Sequence, residues 1–429
     1  MPQTLSNADA AFRDIGAPYI VSQINYKTTA LDLAQEGESE VADGRRARIT
    51  THIRRNQGVK TTPEGRILPT AGNQNYLVLY VPYVDTTGRI NMTVQVIDQS
   101  ESNRGAFLNM AMEEMDGLIR DIVQYRNEQV VGFGSGILCR VNGNPAANAV
   151  SVDVDDPGGL TQATNGTRFL SPGQIVAAVR ANALVANTPL TVDSITDSDT
   201  VVFQANTADL ADNDVLVRAA ATTVTQVEDT DFNAPTMGLM GMVDDGGLVN
   251  QYFGANRTSY PILQSRVVAN AGAISGDLIQ REIDVAEQRG QGNITAHMMH
   301  HSTRRAYLAA MEGDRRYTGL DLRNPDAGTK AAQVVKGEYV AFGRVPIREE
   351  KHFPYGTWMG LDTSSFLRFM SVEGRWEDRM GSILQLDTAG STHSFTALFY
   401  MRDNFVMQRP NSCFRIDGLT TSVVALNLA

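Results

Sequence analysis

Residues 104–131 read RGAFLNMAMEEMDGLIRDIVQYRNEQVV, and the spacing within this stretch decides the fold class. Phe107, Leu108, Ala111, Met115, Leu118, Ile119 and Ile122 fall on one helical face, with Gly117 as the single interruption inside the run. At about 1.5 Å per residue such a helix is roughly 40 Å long, more than a compact domain needs. It reads as a spar crossing an elongated subunit. Gly132, Gly134 and Gly136 follow and end it, because glycine relieves the left-handed geometry at a helix C-terminus.

Upstream, Tyr76 to Tyr83 and Ile90 to Ile97 are rich in Val, Leu, Ile and Tyr and flank Asp85-Thr-Thr-Gly88, which predicts a β-hairpin with a short loop. With a strand signal at Arg48 to Ile53, residues 41–102 form an extended β-excursion. Residues 1–40 read as an N-terminal arm without helical or strand periodicity. Residues 1–44 hold seven acidic residues, Glu36, Glu38 and Glu40 among them, against Arg13 and Lys27. From 45 to 66 the sign reverses: Arg45, Arg46, Arg48, Arg54, Arg55, Lys60 and Arg66 face Glu64 alone, and Thr62-Pro-Glu-Gly65 is a turn signal. Adjacent segments of opposite charge point either to contacts between copies or to two solvated faces of one copy.

Downstream, residues 103–139 carry the helix and its exit. Residues 140–232 change character, with strands expected at Ala149 to Val154, Leu190 to Ile195, Val201 to Phe203 and Val215 to Arg218, the pattern of a small inserted all-β unit. Residues 233–365 alternate. Ser275 can cap a helix with the stripe Leu278, Ile279, Ile283 and Ala286, a strand follows at Ile294 to Met298, and Ser302 can cap a further helix. An α/β domain is expected there. Residues 366–429 return to strands, with Phe395, Ala397, Phe399 and Met401 alternating against Thr396, Leu398, Tyr400 and Arg402.

At 429 residues the chain exceeds the roughly 250–300 at which one core stops growing, so two or three domains are expected. The net charge of −11 offers no electrostatic footprint for binding DNA as a ligand, and it still permits a container for DNA. Cys139 and Cys413 fit no disulfide or metal spacing, and neither a leader nor a membrane span is visible, so a soluble cytosolic product is expected.

Motifs that would carry chemistry are scarce. Gly132-x-Gly134-x-Gly136 follows a helix, whereas a phosphate-cradling loop follows a strand. His297, His300 and His301 do not share a strand face, which favours ordinary strand-end histidines over a metal site. Asp153, Asp155 and Asp156, Asp193, Asp197 and Asp199, and Asp209, Asp212 and Asp214 cluster without completing a calcium loop, and read as turn residues. No catalytic residue, cofactor or metal ligand is assigned.

The order of these parts resembles the major capsid proteins of tailed phages, the Hong Kong 97-type shell fold. Ser102-Asn-Arg-Gly-Ala-Phe107, Met112-Glu-Glu-Met115 and Gly132 to Gly136 resemble the entry, body and exit of that family's spine helix. Met237-Gly-Leu-Met-Gly241 resembles the lead into its axial domain. Ala306-Tyr-Leu308, Arg315-Arg-Tyr317, Phe342-Gly-Arg-Val-Pro346, Gly356-Thr357 and Leu361-Asp-Thr-Ser364 resemble elements within that domain. The resemblance implies an α+β chain made of an arm (1–40), an extended hairpin loop (41–102), a spine and the start of a peripheral domain (103–139). These are followed by an inserted β domain (140–232), an axial domain (233–365) and a return to the peripheral domain (366–429).

It further implies self-assembly into hexamers and pentamers around double-stranded DNA in a virion head, assembled in a bacterial cytoplasm. Portal and scaffolding proteins are the implied partners, with a cement protein as an optional one. Some members crosslink a hairpin lysine to a neighbour's asparagine; Lys60 is the sole lysine between Lys27 and Lys330, and no partner asparagine or assisting glutamate is matched. Two rival readings are an encapsulin-like compartment and a hydrolytic or metal-dependent enzyme on residues 233–365.

Overall fold

The computed structural model describes residues 28–37, 41–42, 44–94, 104–146, 149–207, 209–312, 341–343, 345–378, 383, 385–386 and 394–425. The long helix spans Arg104–Val131, 28 residues, as the apolar spacing demands. Its C-terminal half is clamped into the main core. Ile122, Val130 and Val131 are buried, and Leu118 and Ile122 close on Gly88 of the strand Val84–Thr93, where a Cβ would lie 2.6 Å from Ile122 Cδ1. Only glycine allows helix and strand to approach this closely.

That strand corrects the expected hairpin. Asp85-Thr-Thr-Gly88 is not a turn; it lies within Val84–Thr93, which runs antiparallel to Ser394–Met407, pairing Val84 with Asp403 through to Thr93 with Ser394. The strand Asn75–Pro82 instead pairs antiparallel with Arg46–Arg54, with Val41–Ala42 on the far edge of Arg46–Arg54. Tyr83 alone separates Asn75–Pro82 from Val84–Thr93, so the chain steps from one sheet to another there. Local alternation marks a strand but not its partner.

Ser394–Met407 is the central strand of a five-stranded sheet, bonded to Phe366–Trp376, Gln385–Leu386 and Val84–Thr93, with Gln35–Glu36 parallel on the outer edge of Phe366–Trp376. Its Asp403 carboxylate is fully buried between Arg126 of the helix and Arg368, whose Nε lies 2.7 Å away. Arg126 is itself only 1% exposed.

A second core lies in a closed barrel. Ile137–Val141, Ser151–Asp155, Thr200–Phe203, Leu190–Ile195, Ile175–Arg180 and Val215–Arg218 pair in a ring of antiparallel strands, and Ala183–Leu184 extends Ile175–Arg180. The four expected strands are present within a residue or two. Two were missed: Ile137–Val141, hidden behind the glycines, and Ile175–Arg180, a run that is buried rather than alternating. Closure pairs each of the six ring strands on both sides, and the barrel packs its own apolar interior around Cys139, Val176, Val192, Phe203 and Leu216. Entry and exit meet at a neck where the Asn233 amide donates to Ser135 O at 2.8 Å. A Cβ at Gly136, φ +70°, would sit 1.8 Å from Asp231 O.

The third unit is a six-stranded mixed sheet ordered Arg266–Val268, Phe414–Ile416, Trp358–Leu361, Ala296–Met299, Val345–Glu349, Ala341–Phe342. Helix Gly276–Gly290 covers it, capped by the Ser275 hydroxyl, which accepts from the Leu278 amide as expected. Helix His301–Glu312 begins one residue before Ser302, so Ser302 is not its cap; the His300 ring Nδ1 accepts from the Ser302 amide at 3.1 Å instead. The tail also departs from the expected return: Phe414–Ile416 enters this sheet between Arg266–Val268 and Trp358–Leu361. The chain crosses between units once more than local pattern can reveal.

Two stability outcomes follow from burial. Asp403→Ala leaves Arg126 charged and without its partner in the core, and is expected to cost about 3–5 kcal/mol in urea unfolding. Excising 137–230 at the neck is expected to leave a cooperative thermal transition, whereas excising 145–225 strands Ile137–Val141 without its barrel partners and lowers Tm further, as circular dichroism would show.

Candidate intersubunit surface

The three-stranded sheet built on Arg46–Arg54 and Asn75–Pro82 changes character along its length. At its base Ala47, Ile49, Leu79 and Val81 point into the main core, and their neighbours Arg46, Arg48 and Tyr80 point outward. Beyond Thr51 no side chain on either strand up to Leu77 is buried, so the ribbon has left the body. The connection, residues 55–74, doubles back on itself: Gly58 and Gly72 run so close that a Cβ on either would come within about 3.0 Å of the other's amide nitrogen. At the tip the Arg66 amide donates to Pro63 O, with Gly65 at φ +72°, which realises the expected turn.

The seven sequence-marked cations are all exposed on this ribbon. Arg46 stacks over Tyr80 at 4.1 Å. Among the described residues, Arg45, Arg48, Arg54, Arg55, Lys60 and Arg66 form no ion pair, and Glu36 forms none either; it sits in Gln35–Glu36, beside Phe366–Trp376. The structure therefore does not bring Glu36 to the arginines within one copy. Glu38 and Glu40 lie outside the described residues. Sequence reading missed the apolar part of the ribbon: Val59, Ile67 and Leu68 are 86%, 88% and 77% exposed. They lack periodicity, so no helical or strand template marks them.

The remaining candidates have structural roles. Gly136 and Gly134 serve the neck, with the strand Ile137–Val141 after them rather than a helix. His297 is buried in Ala296–Met299, its Nδ1 accepting from Trp358 Nε1 at 3.1 Å. His301 pairs with Glu349 at 2.6 Å. Asp156, Asp197 and Asp199 accept the amides of Gln162, Asp199 and Gly166, and Asp214 holds Arg180 at 2.6 Å. Among the described residues no group of three or more His, Cys, Asp or Glu side chains is placed to hold a metal, and no helix is long and apolar enough to cross a membrane. Sequence spacing gave no sign of a second buried network, in which Asp244 accepts from Arg257 and Arg415. Those two arginines also donate to the carbonyls of Met240, Gly241, Met242 and Val243.

Where the helix, the barrel and the loop 350–355 meet, Glu128 lies 3.8 Å from Arg218 and 3.9 Å from His352. Burial pushes His352 down to about 2 and His300 to about 3, with the neighbouring Arg168 adding to both, and burial alone pushes His297 to about 4. All three are neutral in the folded chain, whereas the unfolded chain takes up their protons near 6.5. The unfolded state thus binds more protons below that value, and stability is expected to fall as pH drops from about 6.5 toward 4. His297→Asn keeps an acceptor for Trp358 and removes one of these protons. Its stability-against-pH slope in urea titrations should be shallower by up to about 1.4 kcal/mol per pH unit.

No family model matches the chain, and no curated protein matches it either. Solved structures do. A chain of the cyanophage A-1(L) capsid asymmetric unit superposes with a TM-score of 0.52 at 8% identity, over 96% of this chain and 98% of that one. The capsid of a native GTA particle gives 0.46 at 9% identity over 96% and 99%, and Mycobacterium phage Bobi 0.45 at 8% over 98% and 99%. Nearly end-to-end superposition on the first of these shows that the chain has the fold of a phage capsid protein.

Proposed function

We propose that this chain is the major capsid protein of a tailed phage, a shell subunit that assembles into hexamers and pentamers around double-stranded DNA. One observation carries the reading beyond fold likeness: a projecting ribbon that one copy leaves uncovered. Burying Val59, Ile67 and Leu68 is worth about 1.5–3 kcal/mol each, and an extended two-stranded ribbon is marginal without a covering partner. Self-association supplies that cover, with Arg45, Arg46, Arg48, Arg54, Arg55, Lys60 and Arg66 meeting acidic surface on a neighbour, whether the arm around Glu36, Glu38 and Glu40 or another face.

The units map onto the shell fold as an arm at 1–40, an extended loop in 41–102, a spine and peripheral start at 103–139, an insert at 140–232, an axial domain at 233–365 and a peripheral return at 366–429. In this mapping the insert is taken to begin with Ile137–Val141, which pairs with Val215–Arg218, and Phe414–Ile416 is grouped with the axial unit because it pairs with Trp358–Leu361. The role is structural rather than catalytic. Assembly in the host cytoplasm with portal and scaffolding proteins, and a cement protein where one exists, completes the proposal.

Sedimentation and negative-stain microscopy of the purified chain test it. Closed particles of uniform size, with nuclease-resistant DNA when isolated from infected cells, are expected. A species that stays monomeric or dimeric under every condition, including beside portal and scaffold, overturns it. Reversing Arg54, Arg55, Lys60 and Arg66 to Glu should abolish particles while leaving the circular dichroism spectrum unchanged, since none of the four side chains forms an ion pair among the described residues.

A further inference from the structure

The barrel and the ribbon carry opposite charge. Residues 137–232 hold twelve acidic residues against Arg140, Arg168, Arg180 and Arg218, a net −8, while residues 45–82 hold seven cations against Glu64, a net +6. Within the barrel the arginines are spoken for. Arg180 holds Asp214, Arg140 lies 3.7 Å from Asp156, Arg218 faces Glu128, and Arg168 donates to the Phe353 carbonyl at 2.8 Å. The carboxylates left exposed and outside any ion pair among the described residues include Asp153, Asp193, Asp197, Asp209 and Asp212.

These acids are gathered by the fold rather than scattered. The Val154 amide donates to Asp199 O at 2.7 Å, the Asn142 amide to Asp153 O at 2.8 Å, and the Gly143 amide to Asp212 Oδ1 at 2.8 Å. The loops at 142–144, 153–156, 197–199 and 209–214 therefore form one rim. Asp155, inside it, is pushed up by burial and by the nearby Asp156 and Asp212 charges. A rim of uncompensated negative charge is an unfavourable surface by itself and a complementary one for a cationic ribbon.

We infer that the ribbon at residues 45–74 of one copy docks on the acidic barrel rim of a second copy, so that the barrel is the receptor for the ribbon. The inference rests on the self-assembly reading above and specifies which face of the neighbour receives the loop. Three features of the ribbon fit such a contact: Arg54, Arg55, Lys60 and Arg66, which form no ion pair among the described residues, exposed Val59, Ile67 and Leu68 to be buried at the centre, and a glycine-crossed neck at Gly58 and Gly72 that holds the tip as one unit. No ion pair joins ribbon and barrel within the copy among the described residues.

Charge exchange tests the contact. A ribbon variant with Arg54→Glu, Arg55→Glu and Lys60→Glu, and a barrel variant with Asp153→Lys, Asp197→Lys and Asp209→Lys, should each raise the concentration needed for particle formation by about tenfold or more. One chain carrying all six changes should return it toward that of the native chain. Carbodiimide treatment of particles assembled from isotopically light and heavy chains gives an independent readout, because Lys60 is the only lysine between residues 28 and 329. Mixed light-heavy peptides joining Lys60 to barrel-rim aspartates are expected. Particles that form normally from the barrel variant, or in which Lys60 joins only the arm acids, overturn this docking while leaving the shell reading intact. A native chain that never assembles overturns both.

Discussion

One buried carboxylate ties the main body together. Asp403 sits on the central strand Ser394–Met407 and accepts from Arg126 on the long helix and Arg368 on the adjacent strand; Asp403 and Arg126 are buried and Arg368 is 22% exposed. Charges this deep are tolerated only when every partner is in place, because each would otherwise keep its full desolvation cost. The contact therefore fixes the position of the helix on the sheet. Gly88 permits the close approach on one side, and Val130 and Val131 bury the helix end on the other. Asp244 plays the corresponding part for the segment after the barrel, holding Arg257 and Arg415 so that they in turn tie down the carbonyls of residues 240–243.

A rigid body of this kind leaves its two appendages free for different purposes. The barrel closes on itself around an apolar interior, and it meets the rest at the neck and through Arg168, which donates to the Phe353 carbonyl. The ribbon does the opposite. Its base is anchored by Ala47, Ile49, Leu79 and Val81, and its outer half presents exposed cations together with exposed Val59, Ile67 and Leu68. A surface that is both charged and apolar is stable in water only at some cost, and association removes that cost. The closed barrel and the exposed ribbon are the two features on which the proposed shell role rests.

Much of the framework was legible in the residues. The seven-residue apolar stripe marked the helix, Ser275 marked a cap, and Arg48 to Ile53 marked one strand of the ribbon. Each of these is a local signal, set by spacing along the chain. Val59, Ile67 and Leu68 went unread because exposure of an apolar residue in an irregular segment has no sequence signature. Ser302 was misplaced as a cap because a histidine ring, His300, took the role usually filled by a hydroxyl or a carboxylate.

What the sequence determined by itself was where elements form: helical periodicity, alternation and turn residues act over a few positions and depend on nothing distant. Only the tertiary structure decided which elements meet. Val84–Thr93 pairs with a strand some three hundred residues away instead of its neighbour, and Phe414–Ile416 completes a sheet begun before residue 300. Arg126 finds Asp403 across 277 positions. Pairing of strands and of buried charges is chosen by the fit of whole surfaces in a crowded core, a quantity that no local pattern encodes.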